Sequence, residues 1–217
     1  MADRTHYAFT VGSVRFVAMN AFEVAEPGSF VVSEEQLAWV KRELQTATDL
    51  GQRKVLLLHC YPSDLKVGGG ELMEVLRNFE VQLIDTGHTH YNEIANDGRT
   101  LYTATRSTGQ IEEGPVDYSV TNLDGGVVSW RFVELNKLPM VMITSPSDER
   151  LLTESRETLG HEIKVRAKGW SSAEVVRMTA RFEGRGMRMQ LVAESQVWET
   201  SIDVSALVKG LDSAEFD

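Results

Sequence analysis

Residues 55–58 form a short, continuous apolar run, Val-Leu-Leu-Leu, which is typical of a strand buried on both faces. Residues 81–85 predict a second strand, and the loop predicted at residues 62–70 is rich in glycine and polar residues. Between this loop and the second strand, apolar residues at helical spacing predict a short helix: Leu72, Val75, Leu76 and Phe79. Because a strand buried on both faces needs cover on both, this stretch constrains the chain to a sheet with helices packed on it.

The preceding segment predicts a β-hairpin and then an amphipathic helix. Apolar residues alternate on both sides of Gly12-Ser13, from Tyr7 to Ala18, as they do in paired antiparallel strands. Ser33 and Gln36 have the spacing of a capping box, and Gly51 supplies a C-terminal stop. The apolar positions between them fall at helical spacing: Leu37, Val40, Leu44 and Ala47.

The remainder of the chain predicts mostly β-structure. Hairpin turns are indicated at residues 96–98 and 122–126, so residues 98–135 are expected to be mainly antiparallel strand. From residue 139 onward, short alternating segments without helical spacing indicate a small β-sandwich, with a hairpin turn at residues 182–187. We therefore predict an α+β fold: a mixed β-sandwich with flanking helices over residues 1–136, and a small all-β domain over residues 139–217.

Three histidines follow the two buried strands and are the strongest candidates for chemistry. His59 ends the first strand, and His88 and His90 come after the second, behind Gly87. Gly87 is expected to let the backbone approach closely just before these two histidines. Residues i and i+2 of an extended chain point to the same side, so His88 and His90 are expected to converge on one cavity. Imidazole is a ligand for zinc, iron and manganese. The alternative is that each histidine is an ordinary polar residue at a strand end, and that alternative stays open.

Three further residues are possible accessory ligands. Cys60 follows His59 directly, although a single buried cysteine is more often a packing residue. Asp64 and Asp85 flank the same region, where each is more often a turn residue or a cap.

The residues KVLLLHCYP at 54–62 and DTGHTHYNE at 85–93 resemble the last metal-ligand blocks of calcineurin-like metallophosphoesterases. The order of hairpin, helix, His strand, short helix and Gly-His-x-His is also similar, over residues from about 5 to 135. The resemblance implies part of that family's four-layer fold, with His59 and His88 on one metal and His90 on a second. It also implies a divalent transition metal (Zn, Mn or Fe) and a small phosphorylated substrate hydrolysed as a mono- or diester.

The same resemblance implies a chain that covers the domain incompletely. The family's upstream Asp-x-His, Gly-Asp and Gly-Asn-His blocks do not occur here, so catalysis is not firmly assigned to any residue. Residues from 139 resemble the Ig-like domain appended to some bacterial phosphoesterases, and they too are expected to be incomplete. Truncated sheets leave unpaired edges, which predicts a homo-oligomer or a strand-exchanged dimer. A non-catalytic metal-binding or interaction module, or one subunit of a split enzyme, are the alternatives.

The net charge and the apolar content of the chain indicate which classes of partner are not expected. The net charge is −10, and such a surface repels phosphate backbones, so nucleic acid is not expected as a partner. No apolar run is long enough to cross a membrane, and no signal peptide is visible, which together predict a cytoplasmic protein.

Overall fold

A computed structural model describes residues 5–23, 28–106, 116–153 and 161–205. These residues form sixteen β-strands and two α-helices, which confirms the predicted α+β class. The chain divides into two compact units, Met1–Tyr118 with Leu152–Ser155, and Ser119–Leu151 with Arg156–Asp217. The sandwich and Ig-like layouts and the domain limits at residues 136 and 139 stay predictions.

The described part of the first unit contains ten β-strands and α-helices in chain order, besides a short 3-10 helix. They are β1 (Tyr7–Val11), β2 (Val14–Ala18), β3 (Phe30–Val31), α1 (Glu34–Asp49), β4 (Arg53–Leu57), β5 (Leu65–Val67), α2 (Gly69–Phe79), β6 (Leu83–Thr86), β7 (Glu93–Asn96) and β8 (Leu101–Ala104). Six strands form one mixed sheet in the order β1-β2-β4-β6-β8-β7. Strands β2, β4, β6 and β8 are parallel neighbours, whereas β1 and β7 pair antiparallel at the two ends. The two predicted hairpins and the two buried strands are therefore confirmed.

Helix α1 forms as its apolar spacing predicts, but its capping box is only half formed. The hydroxyl of Ser33 accepts a hydrogen bond from the backbone N–H of Gln36. The Gln36 side chain does not return to the Ser33 backbone, whose N–H donates to Glu23 instead. Gln36 turns inward to the backbone of Asn20, because that segment after β2 also lacks partners for its polar groups.

The loop predicted at residues 62–70 is largely regular structure, so that prediction was wrong. Pro62–Asp64 is a short 3-10 helix, β5 follows it directly, and α2 already begins at Gly69. Gly68 and Gly69 allow close packing of the backbone rather than forming a loop. Gly68 has φ of 87°, and a Cβ at this position would lie 2.4 Å from the carbonyl oxygen of Val32.

The core of the first unit lies between the sheet and its helices. Strands β2, β4 and β6 contribute Val17, Leu56 and Ile84, and each of these side chains has no exposed surface. The inner stripes of the two helices cover them, with these fully or almost fully buried residues: Val40, Leu44, Leu72, Val75 and Leu76. This packing holds the carboxyl ends of β4 and β6 side by side. His59 follows the first of these strand ends, and His88 follows the second.

The described part of the second unit consists mainly of β-strands, with a 3-10 helix at Glu149–Leu151. Its strands are β9 (Asp117–Asp124, which starts in the first unit), β10 (Val127–Glu134), β11 (Met140–Ser145), β12 (Glu162–Trp170), β13 (Thr179–Phe182), β14 (Arg185–Arg188), β15 (Gln190–Val192) and β16 (Val197–Asp203). Four of them form a sheet in the order β11-β12-β16-β15, while β9–β10 and β13–β14 are hairpins with turns where the sequence predicts them. Residues 107–115 and 206–217, included in the predicted strand region and Ig-like domain, lie outside the described residues.

Two sequence-based expectations concern the surface. Among the described strands, β1 forms one end of the main sheet and exposes Tyr7, Phe9 and Val11. Whether this edge pairs with a second chain is untested, and the homo-oligomer stays a prediction. Neither described helix combines the length and apolar character that a bilayer crossing requires.

Candidate metal site

The ends of the neighbouring parallel strands β4 and β6 bring His59 and His88 together. Leu58 donates its N–H to the carbonyl oxygen of Asp85 at 3.1 Å, and Gly87 donates its N–H to the carbonyl oxygen of His59 at 3.0 Å. These backbone bonds continue the β4–β6 pairing past the last residue of each strand. The two imidazole rings then lie with their centroids 5.4 Å apart, and both side chains are exposed.

That spacing fits two ligands of one metal ion. Imidazole nitrogens bind zinc at about 2.0–2.1 Å, and two such rings in tetrahedral geometry have centroids roughly 5 Å apart. A third donor is not in place among the described residues, where no three His, Cys, Asp or Glu side chains form a group able to hold a metal. The observed pair therefore matches part of a metal site, and the role of His90 as a ligand stays a prediction.

The predicted reason for convergence of His88 and His90 was wrong. That reason required an extended backbone, but His88 has φ of 66° and His90 has φ of 61°. Both residues are left-handed, so the alternation of an extended strand does not apply to them. Residues other than glycine adopt this region rarely, histidine more often than most, and such residues concentrate at functional sites.

Charge and partial burial act together on His59. Burial lowers the pKa of His59, and the nearby imidazoles of His88 and His90 lower it further when they are protonated. All three effects favour the neutral imidazole, which is the form that binds metals. His90 is thus close enough to lower the pKa of His59.

Two phenylalanines line the histidine pair, and sequence reasoning missed both. Phe30 on β3 packs edge-on against His88 at a centroid distance of 4.5 Å, and it lies 5.6 Å from His59. Phe22 lies 5.2 Å from both His59 and Phe30, with 56% of its surface exposed. Neither residue belongs to a motif, and the position of β3 depends on its pairing with β5, so no local pattern could have found them.

The three accessory candidates occupy different surroundings. Cys60 has no exposed surface and packs in the core, where burial raises the pKa of its thiol to about 12. Asp64 caps the short 3-10 helix by accepting a hydrogen bond from the N–H of Tyr61 at 3.2 Å, as a turn residue is expected to do.

Asp85 lies inside β6 rather than in a turn, so its assignment as a turn residue or cap was wrong. Its carboxylate accepts a hydrogen bond from the hydroxyl of Thr103 at 2.8 Å. Burial raises the pKa of Asp85 despite that bond. None of the three accessory candidates joins the histidine pair in a metal-binding group within the described part of the chain.

Gly87 was expected to permit a close approach of the backbone before the ligands. A Cβ added to Gly87 would meet only the carbonyl oxygen of His59, at 3.7 Å, which is an ordinary contact. The space at this position does not require glycine, so the expected reason was wrong.

Comparisons with known proteins give distant matches to solved structures. No protein-family model matches the chain, and no curated protein matches its sequence. The chain is similar in structure to a dimetal phosphatase from Danio rerio, with a TM-score of 0.46 and 15% identity over 92% of this chain and 60% of that one. It is also similar to a double mutant of Vps29 from Entamoeba histolytica, with a TM-score of 0.21 and 12% identity over 91% of this chain and 59% of the other. The chain spans less than two thirds of the length of either structure, and the similarity is too distant to assign a family or a function.

Proposed function

We propose that this chain is a metal-dependent phosphoesterase with a reduced, histidine-based site, acting on a small phosphorylated substrate. The observation that supports the proposal best is the pairing of His59 and His88, whose ring centroids lie 5.4 Å apart at the ends of adjacent parallel strands. Loops at the carboxyl ends of parallel strands are a common location for binding sites. The resemblance of residues 54–62 and 85–93 to metallophosphoesterase blocks supplies the reaction class.

The residues have distinct roles in this proposal. His59 and His88 hold a divalent transition metal (zinc, manganese or iron), and His90, which follows on the same loop, is proposed as a further ligand. A bound ion of this kind polarises a phosphoryl oxygen and lowers the pKa of water, which is the chemistry that phosphoester hydrolysis needs. Phe30 restricts the rotation of the His88 ring by edge-on packing, and Phe22 shields one side of His59 from water.

A non-catalytic metal-binding module is the second candidate. It is favoured by the lack of a third assembled ligand among the described residues. Two imidazoles can retain an ion without orienting a substrate and an attacking water, because hydrolysis needs both in line with the leaving group. The two candidates differ in one measurable respect: both bind a metal through His59 and His88, but the second does not hydrolyse phosphoesters.

Metal binding and hydrolysis should be measured on the same protein samples. We expect the purified chain, after reconstitution with Zn²⁺ or Mn²⁺ and dialysis, to retain about one ion per chain. We expect His59→Ala and His88→Ala each to abolish this binding. The change His161→Ala is the matched control, because His161 is an exposed histidine of the second unit.

The outcomes separate the candidates. Hydrolysis of a nitrophenyl phosphodiester that requires added metal and disappears in His88→Ala supports the phosphoesterase. Retention of metal without hydrolysis supports the non-catalytic module. Retention of well under about 0.3 ions per chain by the unmutated protein would sink both, and activity that persists in His88→Ala would point to a different site or a contaminant.

A further inference from the structure

We propose that the buried ion pair between Arg106 and Asp117 positions the loop that carries His88 and His90. The inference concerns a loop of the proposed metal site and in that respect rests on the proposed function. Its structural part, that this pair controls the conformation of residues 87–92, can be tested in the metal-free protein.

The pair is buried and bidentate. The Nε of Arg106 donates to one carboxylate oxygen of Asp117 at 2.9 Å, and a terminal nitrogen donates to the other at 2.5 Å. The side chains are 5% and 1% exposed. A bidentate guanidinium–carboxylate pair has a fixed relative orientation, so it holds the backbone of residue 106 as well as its charge.

The backbone beside this pair contacts both ends of the histidine loop. At the far end, the N–H of Arg106 donates to the side-chain oxygen of Asn92 at 3.2 Å. At the near end, the N–H of Thr105 donates to the carbonyl oxygen of Thr86 at 3.4 Å, and the Thr86 hydroxyl donates to the carbonyl oxygen of Thr103 at 2.9 Å. Residues 103–106 therefore clamp the loop where it leaves β6 and again just after His90.

The loop needs such support because two of its residues have unfavourable backbone conformations. His88 and His90 are both left-handed, with φ of 66° and 61°. Conformations of this kind persist where the surroundings determine them, and they relax when the support is removed. Within the loop, the N–H of Thr89 donates to the carbonyl oxygen of Gly87 at 2.8 Å, and the N–H of Tyr91 donates to the hydroxyl of Thr89 at 3.4 Å.

Loss of the Asp117 charge should release the clamp at one end. A guanidinium that has lost its carboxylate is costly to keep buried, so Arg106 is expected to move toward water and to withdraw its N–H from Asn92. The loop then loses the hydrogen bond between Asn92 and the Arg106 N–H, and His88 and His90 sample other backbone conformations. In this proposal Arg106 and Asp117 act through the loop rather than directly on the metal or the substrate.

The test compares Asp117→Asn with Asp124→Asn in the second unit. Asp124 also forms an ion pair with an arginine, Arg166, whose side chain is 22% exposed, so the control removes the same type of charge elsewhere. Hydrogen exchange of the metal-free proteins is read at the amides of Gly87 and Thr89, with amides of α1 as the internal reference. For Asp117→Asn we expect exchange at Gly87 and Thr89 to accelerate about tenfold, the size expected for loss of one typical hydrogen bond. We expect α1 to be unchanged, and Asp124→Asn to leave the loop at wild-type rates.

A second variant keeps the test decisive if Asp117→Asn does not fold. Asn92→Ala removes the acceptor of the Arg106 N–H and leaves the ion pair intact, and it should accelerate exchange at the same loop amides. Equal acceleration at all amides, or no change at Gly87 and Thr89 in either variant, would overturn the inference and leave a purely structural ion pair.

Metal affinity supplies the functional readout. If the proposed site exists, Asp117→Asn and Asn92→Ala should weaken Mn²⁺ or Zn²⁺ binding about tenfold, the lower end of what loss of supporting groups costs a metal site. Unchanged affinity with accelerated loop exchange would show that the loop is positioned for something other than metal binding, which overturns the functional part. If the unmutated protein binds no metal, the proposed function fails, while the exchange result still decides the role of the ion pair.

Discussion

The side chain of Gln36 makes two hydrogen bonds with the backbone of Asn20. Its oxygen accepts from the Asn20 N–H at 2.8 Å, and its nitrogen donates to the Asn20 carbonyl oxygen at 2.9 Å. Gln36 is 1% exposed, so the first turn of α1 is joined to the segment after β2 by a buried amide whose oxygen and nitrogen are both hydrogen-bonded. The segment that follows β2 continues from Asn20 to Phe22, which packs against His59. The hydrogen bonds between Gln36 and Asn20 therefore hold the segment that leads to the histidine site.

Gln36→Leu should destabilise the protein by about 2–4 kcal/mol. The leucine has a similar volume but removes the hydrogen-bond partner of two partly buried backbone groups of Asn20, and each such loss costs about 1–2 kcal/mol. The matched control is Gln45→Leu on the exposed side of α1, where the amide contacts only Asp49 in a surface pair and the change should be within about 0.5 kcal/mol. Urea unfolding measures the free energy of unfolding of both variants. Equal losses in Gln36→Leu and Gln45→Leu would show that the bonds between Gln36 and Asn20 do not stabilise the fold.

The regular elements of the first unit were largely predictable because their signals are local. Apolar spacing and the hydroxyl of Ser33 determine α1, and the continuous run at residues 55–58 determines a strand with parallel neighbours on both sides. The proximity of His59 and His88 also follows from the sequence, since each histidine comes just after one of two adjacent parallel strands.

Features that depend on contacts between distant segments were not predictable in this way. The inward turn of Gln36 depends on Asn20, and the position of Phe30 depends on the β3–β5 pairing. The left-handed conformations of His88 and His90 were not predictable, because histidine adopts this region more often than most residues but far less readily than glycine. The sequence therefore predicted the proximity of His59 and His88 correctly and the backbone geometry of His88 and His90 wrongly.

Gly69→Ala should be strongly destabilising, whereas alanine at the neighbouring glycine should not. A Cβ at Gly69 would lie 2.5 Å from the carbonyl oxygen of Pro62, and this backbone atom cannot move without displacing the 3-10 helix. We expect a loss of about 1–3 kcal/mol, the usual cost of overpacking. Gly70→Ala meets no atom within 4 Å and should stabilise the protein by about 0.4–1 kcal/mol.

Alanine in place of Gly87 tests how closely the backbone packs just before His88. Gly87→Ala should change the free energy of unfolding by no more than about 0.5 kcal/mol, because its Cβ would make only an ordinary contact with the His59 carbonyl oxygen. Thermal unfolding followed by circular dichroism compares the three variants. A large loss of stability in Gly87→Ala, or equal losses in Gly69→Ala and Gly70→Ala, would contradict these contacts.

Cys60 should behave as a core residue. It is the only cysteine of the chain and has no exposed surface, so a thiol reagent such as Ellman's reagent should react slowly with the folded protein and completely after unfolding. Cys60→Ala should lower the free energy of unfolding by about 1 kcal/mol and leave metal affinity unchanged. Rapid labelling of the folded protein, or loss of metal binding in Cys60→Ala, would instead support a ligand role for the sulfur.

Asp85 should make the protein less stable as the pH rises. Burial raises the pKa of Asp85 in the folded state above its ordinary value of 3.8, with the Thr103 hydroxyl opposing the shift. The folded state therefore holds the proton more tightly than the unfolded chain does. The stability that this group contributes is fully present below the unfolded pKa and is lost as the pH rises through the folded pKa. Asp85→Asn removes this dependence, since the amide carries no charge and its oxygen can still accept from Thr103.

Urea unfolding of the two proteins from about pH 4 to about pH 7 measures the difference. We expect the wild-type free energy of unfolding to fall relative to that of Asp85→Asn as the pH rises, and the gap between them to stop widening once the carboxyl is ionised in both states. Other carboxyl groups titrate alike in the two proteins and cancel in the comparison. A difference that is constant with pH, or one that favours the wild-type protein increasingly at higher pH, would show that the Asp85 carboxylate is stabilised in the fold by partners stronger than Thr103.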